Sequence, residues 1–106
     1  MSEIKTERKV TVILAADVVG YSTMMEANEE QTLKTLTACR TIVDSFIGAH
    51  HGRIFNTAGD SVLAEFQSAV EAVICGSEFQ NTIRERNNSV SEEELMEFRI
   101  GINMGD

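Results

Sequence analysis

Apolar and polar residues fall in blocks along this chain, and the spacing within each block predicts its local structure. Val10 to Val19 (Val-Thr-Val-Ile-Leu-Ala-Ala-Asp-Val-Val) is nearly all apolar and β-branched at its start, the pattern of a buried strand. Gly20-Tyr21-Ser22 punctuates it. Asn28 with Gln31 resembles a capping box, and Glu29 and Glu30 suit the positive end of a helix dipole. From there Leu33, Leu36, Cys39, Val43 and Phe46 recur at helical spacing to about Ala49, where His50-His51-Gly52 ends the run. Arg53 to Thr57 and Val62 to Phe66 read as short strands joined by Ala58-Gly59-Asp60-Ser61, a hairpin signal. Ser68 with Glu71 opens a second helix whose inward stripe would be Ala69, Ala72, Val73, Gly76, Phe79 and Ile83. Asn87-Asn88 stops it, Ser89 to Glu94 is a polar connector, and Phe98 to Met104 alternates as a strand.

The order β-α-β-β-α-β predicts an α+β, ferredoxin-like fold, with two helices on one face of a four-stranded antiparallel sheet. Right-handed crossovers favour that arrangement for both split βαβ units. The fold is expected over residues 10–106, behind a charged N-terminal extension at 1–9. It hosts many unrelated activities, so function has to come from particular residues.

Composition narrows the field. The 106 residues include 42% hydrophobic and 25% charged residues, ordinary for one globular domain. A formal net charge of -8 argues against a nucleic-acid partner, because an acidic surface adds repulsion to a phosphate backbone. A nucleoside triphosphate remains accessible through bridging cations. The longest apolar stretch, Val10 to Ala16, is too short to span a bilayer, so no membrane contact is expected from this segment and a cytoplasmic location is. Cys39 and Cys75 lie in helical stretches without close His partners and read as buried, reduced thiols. His50 and His51 read as helix-end residues, Met24-Met25 as flexible packing, and Glu92-Glu93-Glu94 as a solvated loop.

The informative residues are acids set in apolar sequence. Asp17 stands near the end of the first strand, where desolvating a carboxylate is costly unless something compensates. Asp60 stands in the hairpin. The first and third strands are the antiparallel central pair of the predicted sheet, so the end of one and the start of the other share an edge. Asp17 and Asp60 should face each other there. Two such carboxylates repel unless protons or cations intervene, and hard Mg²⁺ or Mn²⁺ ions suit them. Turn chemistry at Asp60 and backbone capping by Asp17 are the alternatives that spacing leaves open.

Ala16-Asp17-Val18-Val19-Gly20-Tyr21-Ser22 and Asn56-Thr57-Ala58-Gly59-Asp60-Ser61-Val62-Leu63-Ala64-Glu65-Phe66 resemble the two N-terminal signatures of class III adenylate and guanylate cyclase catalytic domains. Phe98 to Asp106 is similar to the strand that follows the second helix in that family. The resemblance runs through residues 10–106 and leans to the bacterial adenylate cyclase type. It implies that Asp17 and Asp60 hold two metal ions, Mg²⁺ or Mn²⁺, with the backbone carbonyl of Val18 as a further ligand. It also implies that the amides from Val19 to Ser22, with Gly20 and Tyr21 between them, cradle the triphosphate, and that Gly59 and Asn56 belong to the substrate site. One ion would make the ribose 3′-hydroxyl a better nucleophile towards the α-phosphate, and the other would steady departing pyrophosphate. ATP is then the expected substrate in preference to GTP, cyclic AMP the product, and a homodimer the working unit.

Two departures qualify the resemblance. The residue before Thr57 is Asn56, where the family carries Lys in adenylate cyclases and Glu in guanylate cyclases to read the purine edge. An amide donates and accepts but makes no charge-assisted bond, which leaves base selection open. The family's transition-state Asn and Arg also lie beyond the strand that reaches Asp106, and Asn103 and Arg99 do not match them. The segment is therefore expected to be the N-terminal part of the domain and inactive alone. A degenerate regulatory or dimerisation module, or a guanylate cyclase, is the competing reading.

Overall fold

The computed structural model describes residues 11–105; the expected extension at 1–9, together with Val10 and Asp106, lies outside the described residues. Strands β1 (Thr11–Val18), β2 (Arg53–Ala58), β3 (Ser61–Phe66) and β4 (Phe98–Gly105) form one sheet in the order β2-β3-β1-β4. Each neighbouring pair is antiparallel. Helices α1 (Tyr21–Ala27), α2 (Glu29–Ala49) and α3 (Ala69–Asn87) complete the α+β, ferredoxin-like layout.

Strand alternation builds the core. Val12, Leu14, Ala16 and Val18 of β1 are buried, as are Val62, Ala64 and Phe66 of β3, while the residues between them are only partly covered. Those side chains meet Leu36, Cys39, Val43 and Ile47 of α2 and Ala72, Cys75, Phe79 and Ile83 of α3 in a single cluster. Full burial of each large side chain contributes about 1.5–3 kcal/mol. β2 is an edge strand, mostly exposed, with a bulge between Ile54 and Asn56.

The helix faces correct the expected stripes. Leu33 and Val73 are exposed at 42% and 56%, and Thr32, Thr35 and Cys75 take inward places instead. Leu33 and Val73 are each one residue off the seam that the i, i+3, i+4 spacing of their neighbours defines. Threonine is tolerated inside because its hydroxyl is satisfied. Thr32 donates to the carbonyls of Asn28 (2.8 Å) and Met24 (3.0 Å), and Thr35 accepts from Gln31 Nε2 (3.0 Å). The Thr32 bonds also tie α1 to α2.

Helix α1 is an addition to the two expected helices. Gly20-Tyr21-Ser22 is less a break than the start of a two-turn helix, which Asn28 separates from α2. The Asn28 carboxamide accepts from the Gln31 amide (3.1 Å), as the capping signal requires. The Ser68 hydroxyl likewise accepts from the Glu71 amide (3.2 Å), but the Glu71 carboxylate turns to His50 and leaves that capping box half-made. At the far end of α3, the Asn87 carboxamide donates to Met96 O (2.9 Å), Arg86 donates to Glu94 O (2.8 Å) and Gln80 donates to Phe98 O (2.9 Å). These bonds hold the chain that leads into β4. Among the described residues no helix is long and apolar enough to cross a membrane.

Candidate active site

The site begins with sheet register. Because β1 and β3 run antiparallel with Ala16 opposite Val62, the end of β1 lies beside the turn that starts β3. Gly59, at φ 58°, makes that turn in the left-handed region that glycine occupies without a Cβ penalty. The turn delivers Asp60 to β1, where its Oδ2 accepts from the Val18 N–H at 2.8 Å across 42 residues of sequence. Gly20, at φ 70°, then swings the chain out of β1 into α1.

These elements enclose a cleft of about 340 Å³. Asp17, Val18 and Arg99 line it from the sheet, Gly20, Tyr21, Ser22 and Thr23 from the start of α1, and Asp60 and Ser61 from the hairpin. Asp17 and Asp60 thus share one cleft. Val19 and Gly59 adjoin it in sequence without lining it. The Val19 N–H is already committed to Glu97 O at 2.9 Å. Tyr21, Ser22 and Thr23 occupy the first turn of α1, where N–H groups have no intrahelical acceptor. Asn56 lies apart, exposed on the edge strand at the bulge.

Arg99 is the residue that sequence reasoning set aside and the structure brings in. It stands opposite Asp17 in the β1–β4 register, and its Nε donates to Asp17 Oδ1 at 3.0 Å. Both side chains are open to solvent (69% and 41%), so the pair is worth about 0–1 kcal/mol. Its significance is position: it puts a guanidinium beside a carboxylate at the mouth of the cleft. The signal was the antiparallel pairing of the end of β1 with the start of β4, which places residue 99 against residue 17.

The donor set fits a hard divalent cation. Asp17 Oδ2 and Asp60 Oδ1 carry no hydrogen bond to any described residue, whereas the other oxygen of each carboxylate is held. Among the described residues no cluster of three or more His, Cys, Asp or Glu side chains gathers that could cage a metal. One or two carboxylates with substrate phosphates and waters is how Mg²⁺ is ordinarily bound. The cleft therefore suits an ion that arrives with a phosphate ligand.

The two cysteines take no part. Both are free and buried. Burial raises the Cys39 thiol above its ordinary range, and burial with Glu78 and Glu71 nearby pushes Cys75 up to about 11. Neither supplies a thiolate near neutral pH.

Comparison with known proteins finds related sequences and related folds. The adenylate and guanylate cyclase catalytic domain family matches residues 3–106. A Rhizobium meliloti protein provisionally named adenylate cyclase 3 is 39% identical over 107 aligned residues, which cover 100% of this chain and 18% of that protein. The crystal structure of an adenylate/guanylate cyclase/hydrolase from Silicibacter pomeroyi is 39% identical, with a TM-score of 0.82 over 93% of this chain and 58% of that one. The guanylyl cyclase Cya2 is 32% identical, with a TM-score of 0.80 over 93% of this chain and 55% of that one. The chain thus spans about a fifth of the curated relative and somewhat more than half of each solved structure.

Proposed function

This chain belongs to the adenylate and guanylate cyclase catalytic domain family, and from that premise we propose that it is the N-terminal part of a cyclase domain that converts ATP to cyclic AMP and pyrophosphate. The observation that carries the proposal is the meeting of Asp17 and Asp60 in one cleft, with one carboxylate oxygen on each that no described residue hydrogen-bonds. Those oxygens, with the Val18 carbonyl, would hold two Mg²⁺ or Mn²⁺ ions. When bound, the ions supply Lewis-acid chemistry: a more acidic ribose 3′-hydroxyl and charge neutralisation on departing pyrophosphate.

The chain's own residues do the rest of the work assigned here. The first-turn amides of α1 at Tyr21 and Ser22 receive phosphate oxygens, and Gly20 keeps side-chain bulk out of their approach. Arg99 adds a positive charge to the cleft beside Asp17, where its guanidinium would meet a phosphate oxygen. Val19 lends its position but not its amide, which Glu97 holds. The domain reading of 10–106 carries with it a homodimer in which a partner and later elements complete the site, and a cytoplasmic location where ATP is available. The segment alone would turn over essentially nothing.

Asn56 favours a second reading. An exposed amide on an edge strand lacks the charge expected of a purine reader, and Cya2, at 32% identity, is a guanylyl cyclase. A guanylate cyclase, or a domain that has lost turnover and serves in regulation or dimerisation, fits that feature. Cyclic-nucleotide production from ATP and from GTP with Mn²⁺, by the full protein and its Asp60→Ala variant, separates the readings. Cyclic AMP that disappears in the variant supports the proposal. Cyclic GMP as the sole product assigns a guanylate cyclase, and no product from a folded dimer assigns the regulatory role.

A further inference from the structure

His50 closes α2 at the end of the molecule away from the cleft, and its ring is held from both sides. Nδ1 lies 2.8 Å from Glu71 Oε1 and Nε2 lies 2.6 Å from Glu78 Oε1. Glu71 and Glu78 are seven residues apart on α3, so they share one face, with Cys75 between them. The imidazole itself is only 17% exposed. A neutral imidazole has one N–H and one lone pair, so it can donate to only one of these carboxylates. The other would face the lone pair at hydrogen-bonding distance, acceptor against acceptor. With both carboxylates ionised, only the imidazolium, with two N–H donors, satisfies both contacts.

We propose that His50 is a proton-operated latch between α2 and α3: closed as the imidazolium that bridges Glu71 and Glu78, and released on one side when it deprotonates. The latch is independent of the cyclase reading. Among the described residues, the other titratable and charged groups around His50 are His51, Arg53, Glu65 and Cys75. His51 and Arg53 stand beside His50 around a cavity of about 700 Å³, and Arg53 is itself bonded to Glu65 of β3 (Nε to Oε2, 2.6 Å). Cys75 stays a neutral thiol. The hydrogen bonds that His50 donates to Glu78 and then to Glu71 raise its pKa above the ordinary histidine value. A group whose folded pKa is raised stabilises the fold fully below its unfolded pKa, about 6.5 for histidine, and loses that contribution as pH rises through the folded pKa. The latch is therefore shut below the ordinary histidine value and opens as pH rises through the higher folded-state midpoint. The two helices it joins reach the other end of the molecule, where Thr32 holds α1 and Asn87 holds the chain before β4.

Long-range ¹H–¹⁵N spectra of the imidazole nitrogens, recorded across pH on the folded protein and on the protein unfolded in urea, test this directly. The expected result is a His50 midpoint higher in the folded state, with both ring nitrogens protonated below it. Glu71→Gln and Glu78→Gln should each move that midpoint back towards the unfolded value. The thermal midpoint of the double variant should fall below wild type at acid pH and converge with it as pH rises. A His50 midpoint at or below the unfolded value, or a neutral single-tautomer ring in mildly acid solution, overturns the proposal. The wild-type titration decides between these outcomes by itself, whether or not a variant folds.

Discussion

Replacing Asp60 separates the structural duty of its carboxylate from the chemical duty proposed for it. Its Oδ2 accepts the Val18 N–H at 2.8 Å in a part-buried position and joins the hairpin to the end of β1. A hydrogen bond to a charged group contributes about 1.5–3 kcal/mol, and Asp60→Ala leaves the Val18 donor without its acceptor. For a domain near this size, 1 kcal/mol corresponds to roughly 4 °C in Tm, so the alanine variant should melt about 6–12 °C lower. Asp60→Asn keeps a carbonyl acceptor, and a neutral bond of about 0.5–1.5 kcal/mol survives. Its stability loss should be about half to two-thirds that of alanine. Cation binding should not follow the same order, because asparagine has lost the charge that a divalent ion needs. Metal-dependent turnover of the full protein should fall at least about 100-fold in both variants, beyond the roughly 10–100-fold that changes outside the ligand sphere cost. Urea unfolding gives the first quantity and Mn²⁺-dependent product formation the second. An alanine variant as stable as wild type refutes the structural role, and an asparagine variant with undiminished turnover refutes the chemical one.

Arg99→Ala should leave urea stability within about 1 kcal/mol, because its ion pair with Asp17 is solvent-exposed. If Arg99 meets the triphosphate, calorimetry should show the full protein's affinity for the metal–nucleotide complex falling roughly tenfold or more, the equivalent of one charge-assisted bond. Cys39 and Cys75 should resist a thiol reagent at pH 8 in the folded protein and react once urea unfolds it, since burial holds both thiols above their usual range; fast labelling of the native state would contradict their placement. Phe79, fully buried in α3, should cost about 3–5 kcal/mol as Phe79→Ala, most of the margin of a marginally stable domain, with a matching fall in the denaturant midpoint.

The fold was legible wherever periodicity was strong. The apolar run from Val10 to Val19 marks β1, and the Asn28 and Ser68 signals mark helix starts that the structure shows as hydrogen bonds to the amides of Gln31 and Glu71. Helix α1 was not legible, because two turns after a glycine leave too short a window for a helical period to register. Leu33 and Val73 fall outside the core because several apolar residues compete for one seam and only contact with the sheet selects among them.

Within the candidate site, the residue types and their order came from sequence alone: Asp17 at the close of an apolar strand, Gly-Asp in a hairpin, and motifs that resemble one family. Local spacing carries such information because strand alternation and turn geometry act over a few residues. Tertiary structure decided what crosses longer separations. It put Asp60 on the Val18 amide 42 residues away, set Arg99 against Asp17, committed the Val19 amide to Glu97, and drew His50 between two carboxylates of another helix. Each of those contacts depends on strand register or helix rotation in the assembled core. Both are fixed by the packing of many side chains together, and no local run of residues encodes them.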